Sequence, residues 1–390
     1  MSGITLAGAE AAKRSYTWQE VDRMLSRGEV KGKLSKDDLP TPALILDLDA
    51  FEYNVKKMVG YVKGKGRAIR PHAKTHKCPE IARYLMQAGA VGACAAKLSE
   101  AEALAAGGVT GLLITTAVVG VNKIERAIAL AQKRPETIFC ADNAQNVGDL
   151  NEAAGAAKLK LNVAIDLFVG NRTGIVAGDP AVALAEIIAR QPHLKLAGLQ
   201  AYAGHASHTV GFEKRREVSI AAMTPAVETR RALERKGIAC PLLTGGSTGT
   251  YNIDTDIDGI NEMQPGSFLF MDVDYNRIGS QAGGEVYDDF RNSLFVRATV
   301  VSKPKDQQAI VDAGLKAFST DKPYPPRWRG GDAIPYAFAG DEHGRLTLSE
   351  KSVNVGDRLE FIIPHCDPSV NLYDRIYAVR GEQVEAVWRV

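Results

Sequence analysis

In Ile69-Arg70-Pro71-His72-Ala73-Lys74-Thr75-His76-Lys77 a lysine stands two residues from a histidine on either side. On an extended strand alternate side chains share a face, so His72, Lys74 and His76 are expected to point the same way at the strand's C-terminal end. A lysine aimed into a barrel mouth loses water from its ammonium, and desolvation together with neighbouring cations lowers its pKa. Those are the conditions in which an amine attacks a carbonyl to form a Schiff base. The same spacing suits a lysine paired with a rim carboxylate, and the residues alone leave both readings open.

Three other segments carry chemically useful groups. Leu243-Thr244-Gly245-Gly246-Ser247-Thr248-Gly249-Thr250 offers backbone N–H groups and hydroxyls after an apolar run, which suits a phosphate as well as a tight turn. Gln264-Pro265-Gly266-Ser267 offers a similar approach in the next unit, and barrel enzymes often hold a phosphate near their last two strands. In Pro364-His365-Cys366-Asp367-Pro368 an imidazole and a carboxylate two apart can aim at one divalent cation, Mn²⁺, Mg²⁺ or Zn²⁺, although a surface turn reads the same way. Gln200-Ala201-Tyr202-Ala203-Gly204-His205-Ala206-Ser207-His208 places a tyrosine and two histidines where another apolar run ends, and histidine there suits acid–base work.

The elements that must position these groups are legible as an alternation. Eight apolar runs, at 67–74, 91–95, 112–116, 137–141, 160–167, 194–203, 240–244 and 261–270, are separated by stretches rich in Ala, Glu, Lys and Leu, such as 100–106, 122–133, 180–190 and 213–235. Eight such repeats predict an α/β fold, a (β/α)₈ barrel of the TIM type. Beyond residue 280 the helical pattern stops, and short alternating runs at 294–301, 308–311, 346–348, 358–363, 376–380 and 384–387 predict a C-terminal antiparallel β domain. The expected division is an N-terminal extension over 1–40, a barrel over 41–280 and the β domain over 281–390. The strand-like 42–48 is a candidate to join that β domain. Residues 1–37 are expected to be a helical, partly mobile extension, and the Pro- and Arg-rich 324–329 a surface loop.

Composition excludes some partners. Forty-eight Lys and Arg against 46 Asp and Glu give a formal charge of only +2, with no dense basic run, so nucleic acid is not expected. No stretch of eighteen apolar residues predicts a membrane span, and no basic region precedes an apolar run at the N-terminus. The five cysteines are scattered and never spaced as CxxC, which fits a reducing, cytoplasmic compartment with most of them as core residues.

Taken together these segments resemble the D-threonine aldolase and D-serine dehydratase family, fold-type III pyridoxal-phosphate enzymes related to alanine racemase. The resemblance runs from Thr41-Pro42-Ala43-Leu44-Ile45-Leu46-Asp47-Leu48 to Val387-Trp388. It is carried by Arg-Pro-His-Ala-Lys-Thr-His-Lys-Cys-Pro-Glu, Phe-Met-Asp-Val-Asp-Tyr (270–275), Val-Asp-Ala-Gly-Leu-Lys (311–316), Asp-Glu-His-Gly (341–344) and Pro-His-Cys-Asp-Pro. It implies pyridoxal 5'-phosphate bound through Lys74 rather than Lys77, with Arg172 at the cofactor's phenolic oxygen and Tyr202 as an active-site tyrosine. His208 is implied as a base near the metal, whereas His205 falls at a variable position. Ser247, already a candidate from its loop, joins Thr248, Gly266, Ser267 and Tyr275, which resemble cofactor and phosphate contacts. The metal pair would be His365 and Asp367; the aldolase branch has His-x-Asp where the dehydratase branch has His-x-Cys. Many relatives carry a glutamine where this chain has Ala96, so any contact that glutamine makes is not carried over.

The resemblance thus implies a metal-dependent aldolase that cleaves a β-hydroxy-D-amino acid to glycine and an aldehyde, acting as a homodimer on a small-molecule substrate. A D-serine or 3-hydroxy-D-aspartate dehydratase is the nearest alternative. A non-catalytic cofactor carrier and a metal-dependent barrel hydrolase are the alternatives from other classes.

Overall fold

The computed structural model describes residues 16–170, 172–349 and 351–390. Each of the eight apolar runs yields a parallel strand: β2 (Ala68–Ile69), β3 (Ala93–Ala95), β4 (Leu112–Ile114), β5 (Ile138–Ala141), β6 (Leu161–Asp166), β7 (Leu194–Ala201), β8 (Leu242–Gly245) and β9 (Glu262–Met263). Their order is 2-9-8-7-6-5-4-3. Val91 N–H to Ile69 O and Cys94 N–H to Pro71 O, both 2.9 Å, close the ring between β3 and β2. Helices cover the outer face, so the strands are apolar on both sides, with Leu112, Leu113 and Ile114 all fully buried. Gly198 lets β7 press against β8: a Cβ there would lie 2.0 Å from Leu242 O, and its φ of +144° is glycine's alone to adopt cheaply.

Local chemistry sets the helix ends. Asp47 caps Leu48–Gly64 through its side chain, Asn143 caps Ala144–Ala156, and Pro79 begins Pro79–Ala88, where its missing N–H costs nothing.

The second sheet runs β13 (Tyr336–Phe338), β14 (Gly344–Thr347), β11 (Gln308–Val311), β10 (Leu294–Lys305), β1 (Ala43–Asp47), β16 (Arg375–Arg380) and β17 (Gln383–Arg389), with β15 (Arg358–Ile362) on β10 and β12 (Arg327–Trp328) on β15. One pair departs from the expected antiparallel pattern. β1, which precedes the barrel, lies parallel to β16 while running antiparallel to β10. A second correction concerns 324–329, expected as a surface loop, because Arg327 and Trp328 pair with Ile362 and Phe361 as an edge strand.

The expected N-terminal extension begins outside the described residues, over 1–15. From Val21 onward it is packed: Val21, Leu25, Val30, Leu34 and Leu39 form one apolar cluster with Ile45, Phe295 and Tyr377 of the second sheet. All five cysteines are buried and unbridged. No described helix is long and apolar enough to cross a membrane.

The second sheet docks on the barrel rim through backbone. Val273 N–H donates to Ile363 O at 3.0 Å, and Cys366 N–H donates to the Asp272 carboxylate at 2.8 Å. Asn54, fully buried, holds Leu269 O and Arg291 O with its amide. The loops at the barrel mouth are gathered by Arg215, whose guanidinium donates to Gly249 O, Thr209 O, Ile278 O and Gly279 O at 2.7–2.9 Å with no exposed surface.

Arg215→Met keeps the volume of the stem and removes all four donors. Unfolding free energy in a urea titration is expected to fall by about 3 kcal/mol, because buried carbonyls lose charged partners that water cannot replace. A loss below about 1 kcal/mol would show that the loops satisfy those carbonyls without the guanidinium.

Candidate active site

The lysine motif is built differently from a strand. β2 ends at Ile69, and a buried Arg70–Glu262 pair, with bonds of 2.9 and 2.8 Å, ties it to β9. Pro71 offers no N–H to continue the ladder, and Ala73–Thr75 turns into one stretch of 3₁₀ helix. His72 starts that turn, its Nδ1 accepting from Lys74 N–H at 3.3 Å while its Nε2 lies 3.2 Å from Thr115 Oγ1. His76 lines neither cleft around Lys74; it is fully buried, with Nδ1 accepting from Cys78 N–H at 3.0 Å. The expected common face of His72, Lys74 and His76 is therefore corrected. Burial, aided by the Lys74 charge, pulls His72 down to about 3, and burial pulls His76 down to about 4, so both rings are neutral.

Lys74 sits where two clefts meet. One is lined by Asp166, Arg172, Thr173, Gln200 and Ala96; the other by His208, Ser247, Thr248, Gly266, Ser267, Tyr275, His365 and Asp367; His72, Tyr202 and Gln264 line both. Its Nζ is 3.3 Å from Asp367 Oδ2 and 5.7 Å from the Tyr202 ring centre. Burial acts to lower the lysine's pKa, but Tyr202 and Asp367 outweigh it, so the amine is held above its ordinary value rather than below. That reverses the shift expected from desolvation and nearby cations. Asp367 responds in the opposite sense, since Lys74 and His365 outweigh its burial and hold it low. Lys77 reaches out of the clefts to the Asn371 side chain.

Arg172 places its guanidinium 4.8 Å over the Tyr202 ring; its neighbour Asn171 is outside the described residues. Asp166 accepts from Gln200 at 2.8 Å and from Thr173 at 2.7 Å, and its burial raises its pKa. Gln264 donates to Thr244 Oγ1 at 3.0 Å.

The glycine and serine loops after β8 and β9 meet beside Lys74. Among the described residues, the N–H groups of Thr248, Gly266 and Ser267 donate to no protein oxygen. Thr248 Oγ1 accepts from Phe268 N–H at 2.9 Å, which locks the two loops together. A Cβ at Gly266 would lie 2.5 Å from Thr75 Oγ1, so only glycine lets this loop reach the lysine turn. Behind them Asp254, pushed up to about 6 by burial, takes bonds from Ser219 and Thr250, and Thr250 in turn is 2.9 Å from Ser247 Oγ. Open N–H groups and hydroxyls at the end of a strand fit a phosphate.

His208 follows the short helix Gly204–Ser207, on which His205 is exposed. Its Nδ1 lies 2.9 Å from Asp274 Oδ2, and its ring is 4.5 Å from that of Tyr275. The pair is a close approach of ring and carboxylate whose geometry does not meet that of a hydrogen bond. Tyr275 is held by Ser207 at 2.7 Å and by the Asp272 cap at 2.8 Å. Lys322 reaches the same Asp274 oxygen at 2.8 Å. His365 Nδ1 is 2.6 Å from Asp321 Oδ2. Among the described residues no three His, Cys, Asp or Glu side chains converge as a metal-holding group. His365 and Asp367 nevertheless offer an imidazole and a carboxylate to one cleft, a donor set that fits a divalent cation completed by non-protein ligands.

Asp166, Asp274, Asp321 and Lys322 are neighbours of the site that sequence reasoning did not single out. Asp274 lay within the quoted Phe-Met-Asp-Val-Asp-Tyr, where two carboxylates of alternate spacing were a usable signal.

Comparison with known proteins agrees with this architecture. Residues 46–274 match the alanine racemase N-terminal domain, and 293–379 match a serine dehydratase domain. A 3-hydroxy-D-aspartate aldolase of Paracoccus denitrificans (strain Pd 1222) is 37% identical over 360 residues, covering 92% of this chain and 93% of that protein. A D-threonine aldolase of Arthrobacter sp. is 37% identical, covering 90% and 92%. The crystal structure of D-threonine aldolase from Filomicrobium marinum superposes with a TM-score of 0.87 at 38% identity, covering 92% of this chain and 97% of that one. The chain belongs to the alanine racemase N-terminal domain family, in the branch whose barrel is joined to a serine dehydratase-type sheet domain.

Proposed function

We propose that this chain is a pyridoxal-phosphate-dependent carbon–carbon lyase that cleaves β-hydroxy-D-amino acids between Cα and Cβ, giving glycine and an aldehyde. The observation that carries the reading is the Lys74 amine, set between a phosphate-type cradle and the His365–Asp367 pair. Lys74 would hold the cofactor covalently, the hydroxyls and N–H groups of Ser247, Thr248, Gly266 and Ser267 its phosphate, and Arg172, Tyr202 and Tyr275 its ring side. When bound, that cofactor supplies an electron sink for the pair released at Cα. Gln264 presents a neutral amide on the barrel side, where an acid would hold a proton on the ring nitrogen. His365 and Asp367 would hold a divalent cation, Mn²⁺, Mg²⁺ or Zn²⁺, whose chemistry there is Lewis acidity toward the β-oxygen.

The chain's own groups then do the proton work. His208, with Nδ1 against Asp274, takes the β-hydroxyl proton at Nε2. The O–H electron pair becomes the aldehyde C=O as Cα–Cβ breaks, and a proton delivered at Cα completes glycine. Asp367 in place of a cysteine is what supports cleavage over loss of water. Threonine-like, phenylserine-like and 3-hydroxyaspartate substrates all fit this chemistry. By analogy of fold the working form is a cytoplasmic homodimer acting on a free amino acid, with neither nucleic acid nor membrane as partner.

Protein loaded with pyridoxal phosphate and Mn²⁺ is expected to convert D-threonine to glycine and acetaldehyde, or 3-hydroxy-D-aspartate to glycine and glyoxylate, with EDTA abolishing product. A keto acid with ammonia instead would move it to dehydration and sink the reading. Lys74→Ala should lose the visible band of the bound cofactor while keeping its unfolding midpoint. His208→Ala should keep that band and lose turnover by about 100-fold or more; cleavage at the wild-type rate would remove His208 from the mechanism.

A further inference from the structure

Two consecutive residues of the second sheet's domain meet both exposed-side imidazoles of the site. Asp321 lies against His365, and Lys322 against the carboxylate that faces His208. We infer that Asp321 and Lys322 are positioning residues, one fixing the metal-side imidazole and the other fixing the proton-taking imidazole through Asp274. The inference rests on the aldolase reading above.

The stretch that carries them is anchored to the metal-side turn. Ser319 N–H donates to Ser369 Oγ at 3.1 Å, Ser319 Oγ donates to His365 O at 3.1 Å, and Ser369 Oγ donates to Ser319 Oγ at 3.0 Å. Asp321 therefore approaches His365 from a segment already tied to His365's own backbone. A carboxylate on Nδ1 makes that nitrogen the donor and leaves Nε2 as the free lone pair, which is the arrangement that orients a metal-binding imidazole. Its partner in the next position serves a different ring. Lys322 Nζ and His208 Nδ1 reach the same oxygen of Asp274, at 2.8 and 2.9 Å. Asp274 is held low because His208 and Lys322 outweigh its burial, so it is an anion shared by an imidazole and an ammonium. Lys322 thus fixes where the carboxylate stands and how much of its charge His208 feels.

The charged groups facing His208 are Asp274 and, behind it, Lys322, with Lys74, His365 and Asp367 across the same cleft and the Tyr275 ring along one side. Removing Asp274's charge and removing Lys322's charge must therefore act on that imidazole in opposite directions. A purely structural role for either would not produce opposite signs.

The test uses the full chain loaded with pyridoxal phosphate and Mn²⁺, with 3-hydroxy-D-aspartate or D-threonine as substrate. Lys322→Met and Asp274→Asn are expected to lower kcat by about 10- to 100-fold with KM within about threefold, while the visible cofactor band is retained. Asp274→Asn should move the acid limb of kcat/KM to lower pH and Lys322→Met to higher pH, and Lys322→Arg should restore both rate and limb. Asp321→Asn should weaken Mn²⁺ binding to the loaded protein by about 10- to 100-fold in a calorimetric titration. The Asp321 and Lys322 side chains keep a quarter or more of their surface exposed, so Asp321→Asn and Lys322→Met leave the core intact. Wild-type kcat and an unmoved limb in Lys322→Met, or wild-type Mn²⁺ affinity in Asp321→Asn, would overturn the inference while leaving the aldolase reading standing. No glycine from the wild-type protein would overturn the reading and the inference with it.

Discussion

The contact between Lys74 and Asp367 is the constraint around which the two sheets are arranged. Both side chains are only partly open to water, and each supplies the other's counter-charge at 3.3 Å. Lys74 comes from the first turn of the barrel and Asp367 from the turn after β15, so the pair exists only when the two sheets are docked. The docking is written into the backbone as well. Residues 272–274 of the barrel rim bond to 363, 364 and 366, which sets the height of Asp367 over Lys74. The chain crosses between the two sheets twice, because β1 is laid into the second sheet before the barrel begins. That crossing makes the relative placement of the two charges a property of topology as well as of surface fit.

Around this pair the histidines divide by physical environment. His72, at the cleft, and His76, beneath it, are driven by burial to about 3 and about 4 despite the nearby Asp367 carboxylate, so they are neutral rings that accept backbone N–H groups of Lys74 and Cys78. His208 and His365 each stand within 3 Å of a carboxylate, at 2.9 and 2.6 Å. A carboxylate at that distance favours a proton on the facing nitrogen, the requirement for a ring whose other nitrogen does chemistry. One residue type thus meets two environments, neutral under burial and paired beside a carboxylate.

Much of this was legible in the sequence, for stateable reasons. Parallel strands covered on both faces must be apolar throughout, so 112–114 or 138–141 stand out without any periodicity of two. The cradle was legible because loops that need open N–H groups and close approach select Gly246, Ser247, Thr248, Gly266 and Ser267. Alternation failed at Lys74, since the pairing stops after His72, which caps a turn that reorients the side chains after it. The edge strand Arg327–Trp328 was hidden by its Pro- and Arg-rich flanks, which one-sided pairing tolerates. The partners Asp274, Asp321 and Lys322 were unreadable for a different reason. Pairings such as Lys322 with Asp274 span 48 positions and leave no local pattern, and an Asp-Lys dipeptide in a turn looks like ordinary solvated charge.

The division of labour between the two sheets bears on how one barrel serves several reactions. Lys74, Arg172, Tyr202 and the two cradle loops all lie between β2 and the end of the barrel, and on the proposed reading they would be what any user of this cofactor needs: a covalent anchor, ring contacts and a phosphate seat. Asp321, Lys322, His365 and Asp367 all come from the second sheet's domain, and on the proposed reading they would act at the substrate's β-oxygen together with His208 and Asp274 of the barrel. Changes at Asp321, Lys322 or His365 would leave the cradle's own bonds in place, because those are made within the barrel. The Lys74–Asp367 contact is where the two sets touch, so a change at Asp367 alters both the cation's donor set and the lysine's counter-charge.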